Sequence, residues 1–171
     1  MTSAGKMIGK VKKMTVTLDK RTEETVRIYF EQSQQPYIKA VLPQKAKTVE
    51  EALDDFRKTL LPSATSYGRI IRADGVYLGD VWAYCIDRKN DPNAMLGFCV
   101  FDGTSRNKGI ATAAVALFLA ELREKYGLRT VGAFTFSDNF ASRRVLEKNG
   151  FLPVEVFVED GRESGYYQFS F

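Results

Sequence analysis

The sequence predicts an α+β fold: a single mixed, mostly antiparallel central sheet flanked by helices and splayed at one place. Two observations predict it. Three β segments follow one another between Tyr67 and Phe101, joined by short polar turns, which is the pattern of an antiparallel meander. A strand–helix–strand run from Met95 to Phe136 comes next, and such a crossover sets its two strands parallel. Where a parallel pair adjoins antiparallel ones, the sheet has a place to part and admit a ligand.

Residues 1–12 read as a flexible basic terminus, with Lys6, Lys10 and Lys12 and no acid before Asp19. Met7, Val11 and Met14 also fit one helical face, so an arm for a membrane or nucleic acid stays open. Residues 13–171 form one domain, with no repeat, low-complexity tract or linker to divide them. Met14, Val16 and Leu18 alternate with polar residues as a first strand. A helix over about Glu23 to Gln34 ends before Pro36. Thr48 with Glu51 is a capping box that opens a second helix, with Ala52, Phe56 and Leu60 at fourfold spacing.

The meander comprises Tyr67 to Ala73, Val76 to Ile86 and Met95 to Phe101, with Asp74-Gly75 and a polar loop around Pro92 as turns. Gly109 to Tyr126 is helical, with Val115, Phe118, Leu119 and Leu122 on one face and Gly127 as C-cap. Thr130 to Phe136 is a strand and Phe140 to Lys148 a short helix closed by Asn149-Gly150. Two last strands, about Pro153 to Val158 and Tyr166 to Phe171, join through Asp160-Gly161.

Composition narrows the chemistry. The 171 residues are 44% hydrophobic and 27% charged, the balance of an ordinary globular chain long enough to close a core. The longest purely apolar run, Ala113 to Ala120, is far short of the ~18 residues that span a bilayer. With no secretory segment visible, the expected compartment is the cytoplasm. A net charge of +4 with no basic stripe among aromatics argues against nucleic acid. The absence of histidine removes the Ser-His-Asp and Cys-His triads and every His metal ligand, and two cysteines alone make no ordinary zinc site, so no metal is expected. Cys85 and Cys99 lie on adjacent predicted strands, roughly symmetric about Pro92. They read as two buried thiols, with a cross-strand disulfide as the alternative.

The informative segment runs from Asp102 to Thr112 between a strand and a helix. Gly109 and Ala111 let the chain run tightly into a first helical turn whose N–H groups have no partner within the helix. The helix dipole adds about half a positive charge there, and Arg106 and Lys108 add mobile charge. Together they suit a phosphate or pyrophosphate. The spacing fits neither the P-loop nor the dinucleotide fingerprint, which leaves Arg106-x-x-Gly109-x-Ala111. A second segment, Asn139-Phe-Ala-Ser142 through Lys148-Asn-Gly150-Phe151, follows the next strand.

In that order and context, the two segments resemble the GNAT superfamily of acetyl-coenzyme A-dependent N-acetyltransferases, closest in appearance to its ribosomal-protein and spermidine branches. The resemblance implies the acyl-CoA N-acyltransferase fold, acetyl-CoA as co-substrate and a primary amine as acceptor, with the chain a monomer or homodimer. It implies that pyrophosphate meets Arg106, Lys108 and the backbone from Asn107 through Gly109, Ile110 and Ala111 to Thr112. Pantetheine would run beside Cys99, Val100 and Phe101. Asn139 would bond the pantetheine or cap the last helix. Ser142 would serve the leaving thiolate as the catalytic hydroxyl or satisfy the same helix start.

The usual glutamate and tyrosine of such folds fall at Phe134 and Leu146, so the customary base and acid are missing. Tyr77, Asp80 and Tyr84 on the long third strand are further candidates for an acceptor cleft. Without a base, deprotonating a lysine-like amine at pH 7 costs about 4.6 kcal/mol against roughly 1 kcal/mol for an α-amine, which favours the latter. The alternative is a non-catalytic acetyl-CoA sensor or interaction protein.

Overall fold

The computed structural model describes residues 13–105 and 107–171; the basic segment 1–12 and Arg106 lie outside the described residues. One seven-stranded sheet runs through the molecule. The meander joins β2 (Tyr67–Ala73), β3 (Val76–Asp87) and β4 (Asn93–Val100), with β1 (Val16–Lys20) antiparallel on the outer edge of β2. On the other side of β4 lies β5 (Thr130–Phe136), the parallel neighbour. Beyond it come β7 (Arg162–Ser170) and, at the edge, β6 (Leu152–Glu159), giving the order β1-β2-β3-β4-β5-β7-β6.

Helix α4 (Ile110–Tyr126) makes the crossover from β4 to β5 and packs on one face of the sheet. Phe118, Val115 and Leu122 are fully buried there against Ile71, Val81, Leu96 and Val131. Each such side chain contributes roughly 1.5–3 kcal/mol by leaving water. Helix α5 (Phe140–Lys148) lies beside α4 and buries Leu146 in the same core. On the opposite face, α1 (Glu23–Ser33) and α2 (Pro36–Lys39) cover a second cluster that includes Ile38, Cys99, Phe101 and Trp82, while α3 (Val49–Thr59) packs on α1. No helix among the described residues is long and apolar enough to cross a membrane.

Several expectations need correcting. Pro36 ends α1 but also opens α2, because a proline at a first helical position lacks only an N–H that would have no partner. The reciprocal capping box sits at Thr22 and Thr25, each hydroxyl accepting the other's backbone N–H at 3.2 and 2.9 Å. At Thr48 only half of one forms: its hydroxyl accepts from Glu51 N, while the Glu51 carboxylate takes the N–H of Lys47 at 2.7 Å. Strand β7 begins at Arg162, four residues before Tyr166, because Ser164 and Gly165 pair with Phe136 and Thr135. Of the two thiols expected to be buried, Cys99 is buried and Cys85 is not, and the alternative, a disulfide between them, does not form. A β3 irregularity between Tyr84 and Asp87 sets Cys85 at φ 52° and exposes it, Cys99 pairs with Asp80, and both cysteines are thiols.

Candidate active site

Strands β4 and β5 pair over only three positions: Asn93 with Thr130, Ala94 with Val131 and Met95 with Gly132. Past Met95 they part, while β3 stays paired with β4 to Val100 and β7 with β5 to Phe136. The sheet therefore holds a wedge that widens toward the C-terminal ends of two parallel strands. Because β4 and β5 are parallel, the segments that follow them, and hence the starts of α4 and α5, lie at that same open end.

Hydrogen bonds outside the ladder fix which backbone groups face the wedge. Pro92 O accepts from Arg129 N at 2.7 Å, so position 92 turns toward β5. Phe101 N donates to Leu78 O at 2.9 Å, so position 101 turns toward β3. Successive residues of a strand turn to opposite edges, so Phe98 and Val100 present N–H and C=O to the wedge. Cys99 turns its backbone to β3, and its side chain is buried with Phe101 under α1 and α2. Of the three residues the sequence assigned to this edge, Val100 lies on it; Phe98, which the sequence reading passed over, joins it.

The loop after β4 is held by Asp102. Its carboxylate accepts from the Thr104 N–H at 2.8 Å and from the hydroxyls of Thr104 and Ser105, closing the short turn Gly103–Ser105. The Thr104 hydroxyl, then its backbone N–H, holds the carboxyl below the usual range. Asn107 and Gly109 follow at φ 61° and 76°, and the left-handed step at Gly109 starts α4 without a side-chain cap. Among the described residues Ala113 N is the first to bond back, to Gly109 O at 3.0 Å. The N–H groups of Ile110, Ala111 and Thr112 thus have no carbonyl of their own helix, and Lys108 is exposed beside them.

Asn149 Nδ2 ties α5 to this turn by donating to Thr112 O at 3.2 Å. At the start of α5, Asn139 Oδ1 accepts from Ser142 N at 3.2 Å, so the cap reading of Asn139 is realised. The Ser142 hydroxyl makes no hydrogen bond among the described residues. Asn139 and Ser142 stand across the open end of the wedge from the α4 turn.

The face under α1 and α2 carries a buried charge cluster. Arg21 Nε lies 2.7 Å from Asp80 Oδ2, an ionic contact rather than an aligned hydrogen bond. The Tyr77 hydroxyl lies 2.5 Å from Asp80 Oδ1 and 3.3 Å from Thr25 O. Burial raises the Asp80 pKa despite the pull of Arg21, and burial likewise raises those of Tyr77 and Tyr29. Asp80 and Tyr77 are thus locked to partners, and Tyr84 is half-buried on the same face.

A GNAT acetyltransferase domain model matches residues 16–152. The chain belongs to this family. A GNAT domain transfers acetyl from acetyl-CoA, and the seven-stranded mixed sheet with its wedge is the GNAT fold. Solved structures of the same fold include RimL, a ribosomal L7/L12 alpha-N-protein acetyltransferase in complex with coenzyme A (TM-score 0.78, 17% identity, covering 91% of this chain and 94% of that one). The spermidine N-acetyltransferase from Vibrio cholerae, in complex with CoA and spermine, has a TM-score of 0.78 at 13% identity, covering 92% and 95%. Aminoglycoside acetyltransferase AAC(6')-Ib in complex with coenzyme A has a TM-score of 0.76 at 16% identity, covering 91% and 95%. No curated protein matches in sequence.

Within this GNAT frame the two departures are visible. Phe134 stands 53% exposed on β5, against Tyr166 and Phe157 at ring distances of 5.1 and 5.7 Å. Leu146 is 1% exposed inside the core and faces no cleft. Sequence reasoning also missed Arg162. It donates to Ala40 O at 2.6 Å and to Asp138 at 3.0 Å, and lies 3.5 Å from the Phe136 ring centre. It thereby joins the β6–β7 hairpin to the end of α2 and to the turn after β5. Only the folded register brings these residues together. A groove of about 650 Å³ between α4 and the end of β7, lined by Leu119, Arg123, Phe169 and Phe171, lies apart from the wedge.

Proposed function

We propose that this chain transfers the acetyl group of acetyl-CoA to a primary amine, with an α-amine of a protein or small molecule as the preferred acceptor. The observation that carries the reading is the parting of β4 from β5 at the same end as the uncapped start of α4. The residues present fit acetyl-CoA. A left-handed glycine opens α4 with no Cβ in the way, and open space surrounds it. A strand edge with unpaired amides and carbonyls leads away from it.

In this reading the N–H groups of Ile110, Ala111 and Thr112 hold the pyrophosphate, aided by the helix dipole and by the charge of Lys108 and Arg106. Asn107 and Gly109 set the turn. The edge of Phe98 and Val100 bonds the pantetheine amides as an added strand would. When bound, acetyl-CoA supplies an acetyl thioester, from whose carbon the amine nitrogen gains a C–N bond as the C–S bond breaks and CoA leaves as the thiol. Ser142 carries the hydroxyl nearest in sequence to the usual acid position, and Asn139 caps its helix. Holding the amine beside the thioester provides most of the rate. An acceptor that is substantially unprotonated near neutrality needs no strong base, which is what Phe134 leaves available. We expect a cytoplasmic enzyme, monomeric or dimeric.

The second reading, a sensor that binds acetyl-CoA without turnover, is favoured by Phe134 and by the burial of Leu146. Release of CoA thiol with a panel of amines, the acetylated products read by mass spectrometry, separates the two. Turnover with α-amines supports the enzyme. Binding without thiol release from any amine supports the sensor.

A further inference from the structure

Two glycines flank the point where β4 and β5 part, and an aromatic ring lies on each. A Cβ at Gly97 would come within 2.5 Å of the Trp82 indole, which reaches across from β3. A Cβ at Gly132 would come within 2.6 Å of the Tyr166 hydroxyl and 2.8 Å of the Met95 sulfur. Gly97 is two residues past Met95 and Phe134 two past Gly132, so both lie on this face beside the opening, on opposite strands. The α1 side of the trough is walled by Trp82 against Tyr29 at 6.0 Å between ring centres. The far side is walled by Phe134, Tyr166 and Phe157, and the Arg162 bridge from Ala40 to Asp138 closes one end.

The charge around the trough selects what fits. Asp80 is held by Arg21 and Tyr77, and Asp138 by Arg162. Glu155 pairs with Tyr166 on the edge strand, two strand spacings or about 10 Å from β5. At the opening itself stands the exposed phenyl ring of Phe134, with Tyr166 and Phe157 against it, a surface that suits an apolar group better than a second ammonium. We propose that this trough seats an apolar or aromatic side chain of the acceptor, on the carbon next to its α-amine, so that the amine reaches the wedge between Trp82 and Phe134. The proposal rests on the acetyltransferase reading and names its substrate class: α-amines bearing a large apolar side chain, as free amino-acid derivatives or peptide N-termini. Such a wall also strips water from the amine, which disfavours its charged form and lessens the need for a base.

The test compares the amides of phenylalanine, leucine, glycine and glutamate with spermidine, by kcat/KM for thiol release. The tryptophan emission is followed in parallel, since Trp82 is the chain's one tryptophan. The expected result is a kcat/KM at least tenfold higher for phenylalaninamide and leucinamide than for glycinamide, the discrimination a few methylenes give in an apolar pocket. Trp82 emission should shift on saturation with phenylalaninamide in the presence of CoA. Phe134→Ala should cut the phenylalaninamide-to-glycinamide ratio several-fold while acetyl-CoA still raises the melting temperature. Preference for spermidine or glutamate amide, a ratio near one, or an unmoved emission overturns the proposal. Failure of acetyl-CoA to stabilise even the unaltered protein overturns the acetyltransferase reading itself, and with it the trough's role.

Discussion

Replacing Gly109 by alanine should weaken acetyl-CoA binding about 5- to 30-fold. Gly109 sits at φ 76°, ψ 9°, where an L-residue costs about 1–2 kcal/mol. A Cβ there meets nothing within 4 Å, so no clash adds to that cost. The variant can relieve the strain only by turning φ negative, which swings the first N–H groups of α4 out of line. The same 1–2 kcal/mol therefore opposes the ligand, at about 1.4 kcal/mol per tenfold. The assay is denaturant unfolding with and without acetyl-CoA. At a concentration of 100 times the wild-type Kd the ligand adds about 2.7 kcal/mol to the wild type. It adds only about 1.4 kcal/mol to a variant that binds tenfold more weakly. Gly109→Asn is the control, because asparagine tolerates the left-handed region and should lose less. An alanine variant stabilised as much as wild type would refute the assignment of the pyrophosphate to this turn.

Other perturbations test the remaining parts. Arg162→Ala removes the hydrogen bonds to Ala40 and Asp138 and a ring contact and should cost about 1–2 kcal/mol of stability while raising the acceptor KM more than it lowers kcat; urea unfolding and steady-state kinetics read both. Gly97→Ala forces the Trp82 indole aside and should cost about 1–3 kcal/mol, with a shifted tryptophan emission. Phe134→Glu places a carboxylate at the usual base position and should raise turnover of spermidine relative to α-amines, measured by thiol release. Glu121→Gln disrupts the contacts of Glu121 with Arg69, at 2.5 Å, and Tyr67, at 2.9 Å, for about 1 kcal/mol at pH 7 given their partial exposure. Burial raises the Glu121 pKa, but the hydrogen bonds from Arg69 and Tyr67 outweigh it and the net shift is downward. Its stabilisation is therefore fully present above the ordinary value of 4.5 and lost as pH falls through the lowered one. The wild-type advantage should close in unfolding titrations run well below pH 4.

The strands and helices with strong periodicity were legible before folding. Tyr67–Ala73, Thr130–Phe136 and Phe140–Lys148 occur as predicted, because alternation or helical spacing dictates which face each residue buries. Short or polar elements were not. Helix α2 hides behind Pro36, which reads equally as a stop and as a start, and Ser164-Gly165 disguises the opening of β7. The uncapped turn that opens α4 was legible because a glycine and a run of small residues are local features. The wedge edge was only half legible. Choosing Phe98 and Val100 over Cys99 and Phe101 depends on hydrogen bonds of Pro92 and Phe101 to distant residues. The Trp82–Gly97 and Tyr166–Gly132 contacts depend on cross-strand register, which a single sequence does not encode at any one position.

Amide hydrogen exchange with saturating CoA tests the central claim most directly. Protection should rise at Phe98, Val100, Ala111 and Thr112, and not along the groove of Arg123 and Phe171. Unchanged exchange at those four amides, or protection confined to that distant groove, would contradict it.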